Sequence, residues 1–450
     1  MMFWPTTTAR DESGRLLIGG VRAVDLAERF GTPLYVFDEA TLRGTARRFR
    51  ETFAAAYPRT RVVYAGKAYL SPALVSILHE EGLGLDVVSG GELYAGLVAG
   101  VDPSAITFHG NNKGEGELRE AIGAGVGLVA IDNLLEIEVL DRLTRELAVT
   151  QPVLLRLNPG IEVETHRKML TGAIDSKFGI PIDTGAGTEA ADRILAAPAL
   201  RLVGYHAHVG SQVFDPDLVG RTVGRLVDFA AETNRRTGVP PRVISPGGGF
   251  GVAEDPAERD ASVEQWAAAA AATLLDGCGR HGLDLPELVV EPGRAVVGPA
   301  GVALYRVGSR KEIPGVRTYV SVDGGMADNP RPTLYGARYT AALANRHDDG
   351  ATERVTIAGK YCESGDVLID EIDLPPLRSG DLLATPMAGA YCLAMASNYN
   401  LAPRPAVVLV GGGRDRLIRR RETYEDLLRT ELVPTAVAGP AREGETIGRR

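Results

Sequence analysis

The segment "RVVYAGK" (residues 61–67) sets two valines and a tyrosine in a run that reads as a buried strand, yet ends it with a lysine. β-Branched and aromatic residues suit a pleated, covered surface, and a continuous apolar run bounded by turn residues marks a strand buried on both faces. Runs of the same kind recur at "LGLDVVS" (83–89), "AITFHG" (105–110), "GLVAIDN" (127–133), "VLLRLNP" (153–159), "LVGYHAHVG" (202–210), "VISPGGG" (243–249) and "ELVVEPG" (287–293). Between them lie segments such as "SPALVSILHEEG", "GGELYAGLVAG", "GELREAIGAG" and "LEIEVLDRLTREL", with apolar residues at i, i+3, i+4 and i+7 and frequent glycine stops, as in amphipathic helices. Eight strands alternating with helices predict an α/β fold whose core is a parallel (β/α)8 TIM-type barrel over 34–293. An open doubly wound sheet is the competing arrangement.

The periodicity changes after residue 300. "VALYRVGSRKEI", "RTYVSVDGG", "RVTIAGKYCESGDVLI", "GDLLATPMAGAY" and "PAVVLVGGGRDRLIRR" read as strands joined by turns, without crossover helices between them. They predict a second, mostly antiparallel β-domain over 294–425. The N-terminal region 1–33, through "GRLLIGGV", is expected to pack with it and to add a strand, and 426–450 is expected to form a short helix and a fraying tail.

The chain of 450 residues is 44% hydrophobic and 24% charged, the balance of an ordered globular protein. Its formal charge of −9, with Lys and Arg dispersed, argues against nucleic acid or an anionic membrane as partner and favours small molecules. No leader pattern or membrane-length apolar run is present, so a cytoplasmic location is expected. Cys278, Cys362 and Cys392 are too scattered for a disulfide framework or a zinc site, and the seven His lack ligand spacing, so no metal is expected.

In such a barrel the active site forms at the C-terminal ends of the strands. Strand one ends at Lys67, which is either a snorkelling surface lysine or, if enclosed by apolar neighbours, a nucleophilic amine able to form a Schiff base. Strand seven runs into Gly247, Gly248 and Gly249, whose free N–H groups can cradle an anion where barrels commonly hold phosphate; Pro246 before them stiffens the approach. Strand eight ends with Glu291 and Arg294, either a local ion pair or a carboxylate set to hold a proton on a ring nitrogen. His206 and His208, two apart on strand six, point the same way. A reactive lysine, a phosphate nest, a carboxylate and a flat ring on one barrel face together specify pyridoxal phosphate.

The series "YAGKAY", "LDVVSGGEL", "FHGNNKG", "HAHVGSQ", "GGGFG", "EPGR", "DGGMADNPRPTLYGARY", "CESGD" and "GAYC" resembles that of the diaminopimelate decarboxylases, in order over roughly residues 20–420. These belong, with ornithine and arginine decarboxylases, to the alanine-racemase-like fold of pyridoxal-phosphate enzymes. The resemblance implies that Lys67 carries the cofactor and His208 stacks on it. Asp86, Ser211, Gly247, Gly248, Gly249, Gly293, Arg294 and Tyr391 would hold the cofactor, with Glu291 on its ring nitrogen. It further implies a homodimer in which Cys362 and Glu363 enter the partner's site, Cys362 as a catalytic proton donor with Lys67 as the other candidate. Arg294, Arg331, Tyr335, Glu363 and Tyr391 would bind the substrate, the arginines taking a distal carboxylate and Glu363 a distal amine. The expected reaction is decarboxylation of meso-2,6-diaminopimelate to L-lysine and CO2, the last step of lysine biosynthesis. Alternatives are a related decarboxylase acting on ornithine, carboxynorspermidine or a carrier-bound amino acid, a racemase, or a non-catalytic regulatory relative. "SPGGGF" departs from the family, which usually has an aliphatic residue before the glycines. Asn111, Asn112 and Lys113 sit at a strand end with no step assigned to them.

Overall fold

The computed structural model describes residues 3–161, 176–254, 262–347 and 350–432. Each of the eight apolar runs forms a strand. Thr60–Ala65 pairs in parallel with Gly84–Val87, and the ladder continues through Ile106–Phe108, Leu128–Ile131, Gln151–Asn158, Leu200–His206, Val243–Gly247 and Glu287–Val290. Glu287–Val290 then pairs back onto Thr60–Ala65, so the sheet closes and the open-sheet alternative falls. Val63, Ala130, Leu154, Val203, Val243 and Val289, from six different strands, form one buried cluster, which such residues can do only inside a barrel. Side-chain caps start the surrounding helices: Ser89 accepts from the Glu92 N–H and Asn133 from the Glu136 N–H, satisfying donors that a helix start leaves free.

The barrel does not begin at residue 34. Leu34–Asp38 is a fully buried strand, but it lies in the second sheet, antiparallel to Gly301–Ile313 and parallel to Ala406–Gly411. An apolar run is equally suited to either sheet, and its pairing partners lie hundreds of residues downstream, where local pattern has no reach. The helix Glu39–Ala56, started by Asp38 accepting from the Thr41 N–H, then returns to pack on strand Thr60–Ala65 and helix Val263–His281. Only the single turn Arg294–Val297 follows the eighth strand, so Glu39–Ala56 fills the place of the eighth helix from the opposite end of the chain.

The second sheet runs in the order Val367–Leu374, Glu353–Ala358, Arg317–Val322, Gly301–Ile313, Leu34–Asp38, Ala406–Gly411, Arg414–Arg419, with Leu382–Thr385 also paired to Gly301–Ile313. It is antiparallel except at two pairings. The run "RVTIAGKYCESGDVLI" divides into two of these strands, and the turn between them carries Cys362 and Glu363. "GRLLIGGV" does not join this sheet. Ala9–Arg10, Leu16–Ile18 and Val21–Arg22 form a separate three-stranded sheet, which packs Leu16 and Ile18 against Val302, Leu304 and Val408 and donates the Leu16 N–H to the Ala344 carbonyl at 2.9 Å. Tyr424–Leu428 is a short helix, and the expected tail lies beyond the described residues from 433 onward. Among the described residues no helix is long and apolar enough to cross a membrane.

Candidate active site

The C-terminal strand ends open on a cavity of about 340 Å³ lined by Lys67, Asp86, His109, Arg156, His206, His208 and Glu291. Beside it, a recess of about 30 Å³ is lined by Lys67, His208, Ser211, Gly248, Gly249, Glu291, Gly293, Arg294 and Tyr391. The structure thus brings the expected cofactor residues together from six segments distant in sequence. Lys67 stands just past its strand, in the single turn Gly66–Ala68, and its side chain is exposed to both spaces. The expected apolar enclosure is absent, because the turn carries the lysine out of the barrel wall and into the mouth.

Glu291 is the electrostatic centre. It is buried, accepts from Ser245 Oγ at 3.2 Å and from His206 Nε2 at 3.1 Å, and has His109 Nε2 at 3.4 Å. Burial pushes its carboxyl up, but His206 and His109 outweigh burial and hold it well below the usual range, so it is ionised at neutral pH. Burial takes His206 down to about 4 against the upward pull of Glu291, so that ring is neutral and donates to the carboxylate. His208 is also pulled well below the usual histidine value, first by burial and then by the Lys67 charge. Its Nδ1 accepts from the Gly248 N–H at 3.2 Å, which fixes the ring at the glycine loop. Burial raises the carboxyl of Asp86, whose Oδ1 has no hydrogen-bond partner among the described residues. One atom each of His109, His206 and Glu291 lie within 4.8 Å of one another, a spacing that a metal ion would also accept. Sequence spacing gives no sign of this trio because its members end three separate strands.

The glycine loop is a cradle that any side chain would fill. A Cβ at Gly248 would fall 1.9 Å from the Glu291 carbonyl oxygen and one at Gly249 2.0 Å from that of Gly210, while Gly247 and Gly249 hold φ of 77° and 94°. Tyr391 faces this loop with φ of 59°, an unusual backbone state for a bulky residue. The Ala68 carbonyl holds it there by accepting the Tyr391 N–H at 2.7 Å, and the Arg294 guanidinium lies 4.8 Å above its ring. Arg294 also donates to Ser211 Oγ at 3.3 Å. A lysine in the mouth, a closed glycine cradle and an ionised buried carboxylate fit the amine linkage, phosphate and ring nitrogen of pyridoxal phosphate.

Arg294 does not pair with Glu291 in the EPGR turn. It donates to Glu254, as does Arg331, and Arg331 also donates to the Tyr339 hydroxyl at 2.6 Å. The tyrosine on Arg331 is therefore Tyr339, and Tyr335 is half-buried at the end of the short helix Arg331–Tyr335. Glu254 belongs to no residue pattern that marks a site, and Tyr339, the last residue of "DGGMADNPRPTLYGARY", has no role assigned to it in the sequence reading.

Cys362 and Glu363 are exposed and line neither space. Their turn is nevertheless firmly built. Buried Asp366 accepts from the N–H groups of Met326 at 2.6 Å and Tyr361 at 2.7 Å, and the Cys362 N–H donates to Asn400 Oδ1 at 3.1 Å. Lys113 also acquires a part: its buried amine donates to the carbonyls of Gly110 at 2.7 Å and Ala130 at 2.8 Å and pairs with Glu136, while the Asn111 carbonyl accepts from Asn133 Nδ2 at 3.1 Å. The "HGNNKG" loop is thus latched to the next strand and helix.

Residues 42–298 match the family model of the pyridoxal-dependent decarboxylase, pyridoxal binding domain. The chain is 44% identical over 431 residues to the diaminopimelate decarboxylase of Bacillus subtilis, covering 96% of this chain and 98% of that one. It is 42% identical over 438 residues to that of Mycobacterium tuberculosis, covering 95% and 97%. Among solved structures, diaminopimelate decarboxylase from M. jannaschii in complex with L-lysine superposes with a TM-score of 0.89 at 33% identity, covering 96% of this chain and 99% of that one. With a cofactor-binding model spanning more than half its length and near-full-length relatives of one kind, the chain belongs to the diaminopimelate decarboxylase family of pyridoxal-phosphate-dependent enzymes.

Proposed function

We propose that this chain decarboxylates meso-2,6-diaminopimelate to L-lysine and CO2 as a cytoplasmic homodimer, the last step of lysine biosynthesis. The observation that carries the substrate assignment is the buried pair Arg294 and Arg331, meeting on one carboxylate, with Arg294 in the wall of the recess that Lys67 also lines. A planar guanidinium fork selects a carboxylate, which the far end of diaminopimelate has and that of ornithine or lysine lacks.

Pyridoxal phosphate supplies the electron sink for the pair left behind when the α-carboxylate departs. The chain's residues do the rest. The Lys67 amine anchors the cofactor, the glycine loop with Ser211, Gly293 and Tyr391 receives its phosphate, and Asp86 stands beside the ring. His208 covers one ring face, and ionised Glu291 holds a proton on the ring nitrogen. Cys362 and Glu363 act in the partner's site, where Cys362 gives a proton to the reacting carbon and Glu363 takes the distal amine. The exposed turn that carries them, outside the cavities of its own chain, supports action across the dimer.

The test is CO2 release by the purified cofactor-loaded protein from meso-diaminopimelate, with L-ornithine and L-lysine alongside. Release from the first alone, with L-lysine as product, is the expected result. Release from L-ornithine instead would keep the fold and cofactor and overturn the substrate.

A further inference from the structure

Glu254 has no part in the chemistry above, yet its carboxylate is the shared acceptor of both substrate-directed arginines. Oε1 accepts from Arg294 Nη1 and from Arg331 Nη1, each at 2.8 Å, and Oε2 accepts from Arg331 Nη2 at 2.7 Å. All three side chains are buried, and the Tyr339 hydroxyl is a further acceptor for Arg331. This is the coordination a free carboxylate ligand would receive: both oxygens on the fork of one guanidinium and a further bond from a second. Burial pushes the Glu254 carboxyl up, but Arg294 and Arg331 outweigh it and hold the group ionised. Two guanidiniums and one carboxylate leave one positive charge, enough to attract one more anion, but the fork of Arg331 is already taken.

We propose that Glu254 is an internal competitor for the substrate's distal carboxylate, occupying the Arg294–Arg331 pair in the empty site and yielding the Arg331 fork to the substrate. The inference rests on the arginine assignment made above and adds to it a group that tunes how tightly the arginines hold a substrate carboxylate. A substrate with a distal carboxylate replaces Glu254 with an equivalent group, whereas an amine end offers the arginines nothing and leaves the pair closed. Binding is then weaker than the arginines alone would give, and the two buried guanidiniums are never left without a counter-charge while the site is empty.

The experiment is calorimetric titration of the full-length, cofactor-loaded protein with pimelate, a seven-carbon dicarboxylate without amines. In Glu254→Gln, which keeps the shape and removes the charge, pimelate binds about tenfold or more tighter than in the wild type, the scale of one hydrogen bond to a charged group. Glu254→Asp, too short to span both arginines, gives an intermediate gain. Folded Gln and Asp variants that bind pimelate no tighter overturn the proposal. So does a Gln variant that fails to fold together with an Asp variant of unchanged affinity, since Glu254 is then a fixed structural counter-ion. Arg331→Met separates the two levels: it abolishes pimelate binding if the arginine assignment holds, and unchanged binding would remove that assignment and the competitor with it.

Discussion

Lys67 and Glu291 divide the proposed chemistry into an anchor and a proton holder, and each is testable alone. Lys67→Ala should eliminate the near-visible absorbance band of covalently linked cofactor and all measurable CO2 release. Glu291→Gln should retain cofactor, measured by its release in alkali, and lose about a hundredfold in kcat, the scale of removing one preorganised charge partner. His206 gives a pH signature. Its value falls from 6.5 to about 4 on folding, so between those values the unfolded chain binds the extra proton, and stability drops as pH falls through that window by at most about 3 kcal/mol. Glu92, raised by burial to about 7, works in the opposite sense. The informative quantity is therefore a difference: in urea titrations of cofactor-free protein, wild type should lose more stability between neutral pH and pH 4 than His206→Gln. Lys67, His208, the glycine loop and Glu291 were readable in the sequence because a barrel strand end is itself an address. Glu254 was not, because it is defined by Arg331, a partner brought from a distant segment, and although Asp366 ends the "CESGD" series, its hold on Met326 was equally out of reach.

At the scale of elements, the latch on the "HGNNKG" loop is structural. Lys113→Met would leave the Glu136 carboxylate buried without its cation and should cost roughly 3–5 kcal/mol in urea unfolding, the range for breaking one side of a buried pair. Replacing Lys113 and Glu136 together by apolar residues should recover much of that loss. The eight barrel strands were legible because burial on both faces leaves a continuous apolar run. The second sheet was legible in its strands but not in its pairing. "LYVFD" carries no mark that distinguishes a barrel strand from the middle of another sheet, and its neighbours Gly301–Ile313 and Ala406–Gly411 are known only from the folded chain.

For the whole molecule, the proposed exchange of Cys362 and Glu363 between protomers makes activity a property of pairs. Lys67→Ala and Cys362→Ala proteins, each inactive, should regain about a quarter of wild-type activity when dissociated together and reassociated, since half the dimers are hybrid and each hybrid has one intact site. Failure to regain any activity, with hybrids shown by mass spectrometry, would place both residues in the same protomer's site.

The position of Leu34–Asp38 also bears on how the protein is made. Both flanking strands lie beyond the entire barrel in the chain, so a ribosome releases this apolar segment long before either neighbour exists. At ordinary elongation rates the wait is on the order of tens of seconds, during which a strand destined for full burial has two open edges. The nascent chain needs shelter for that segment, and a messenger truncated after the codons for Glu287–Val290 but before those for Ala406–Gly411 yields a product with a finished barrel and an adhesive edge.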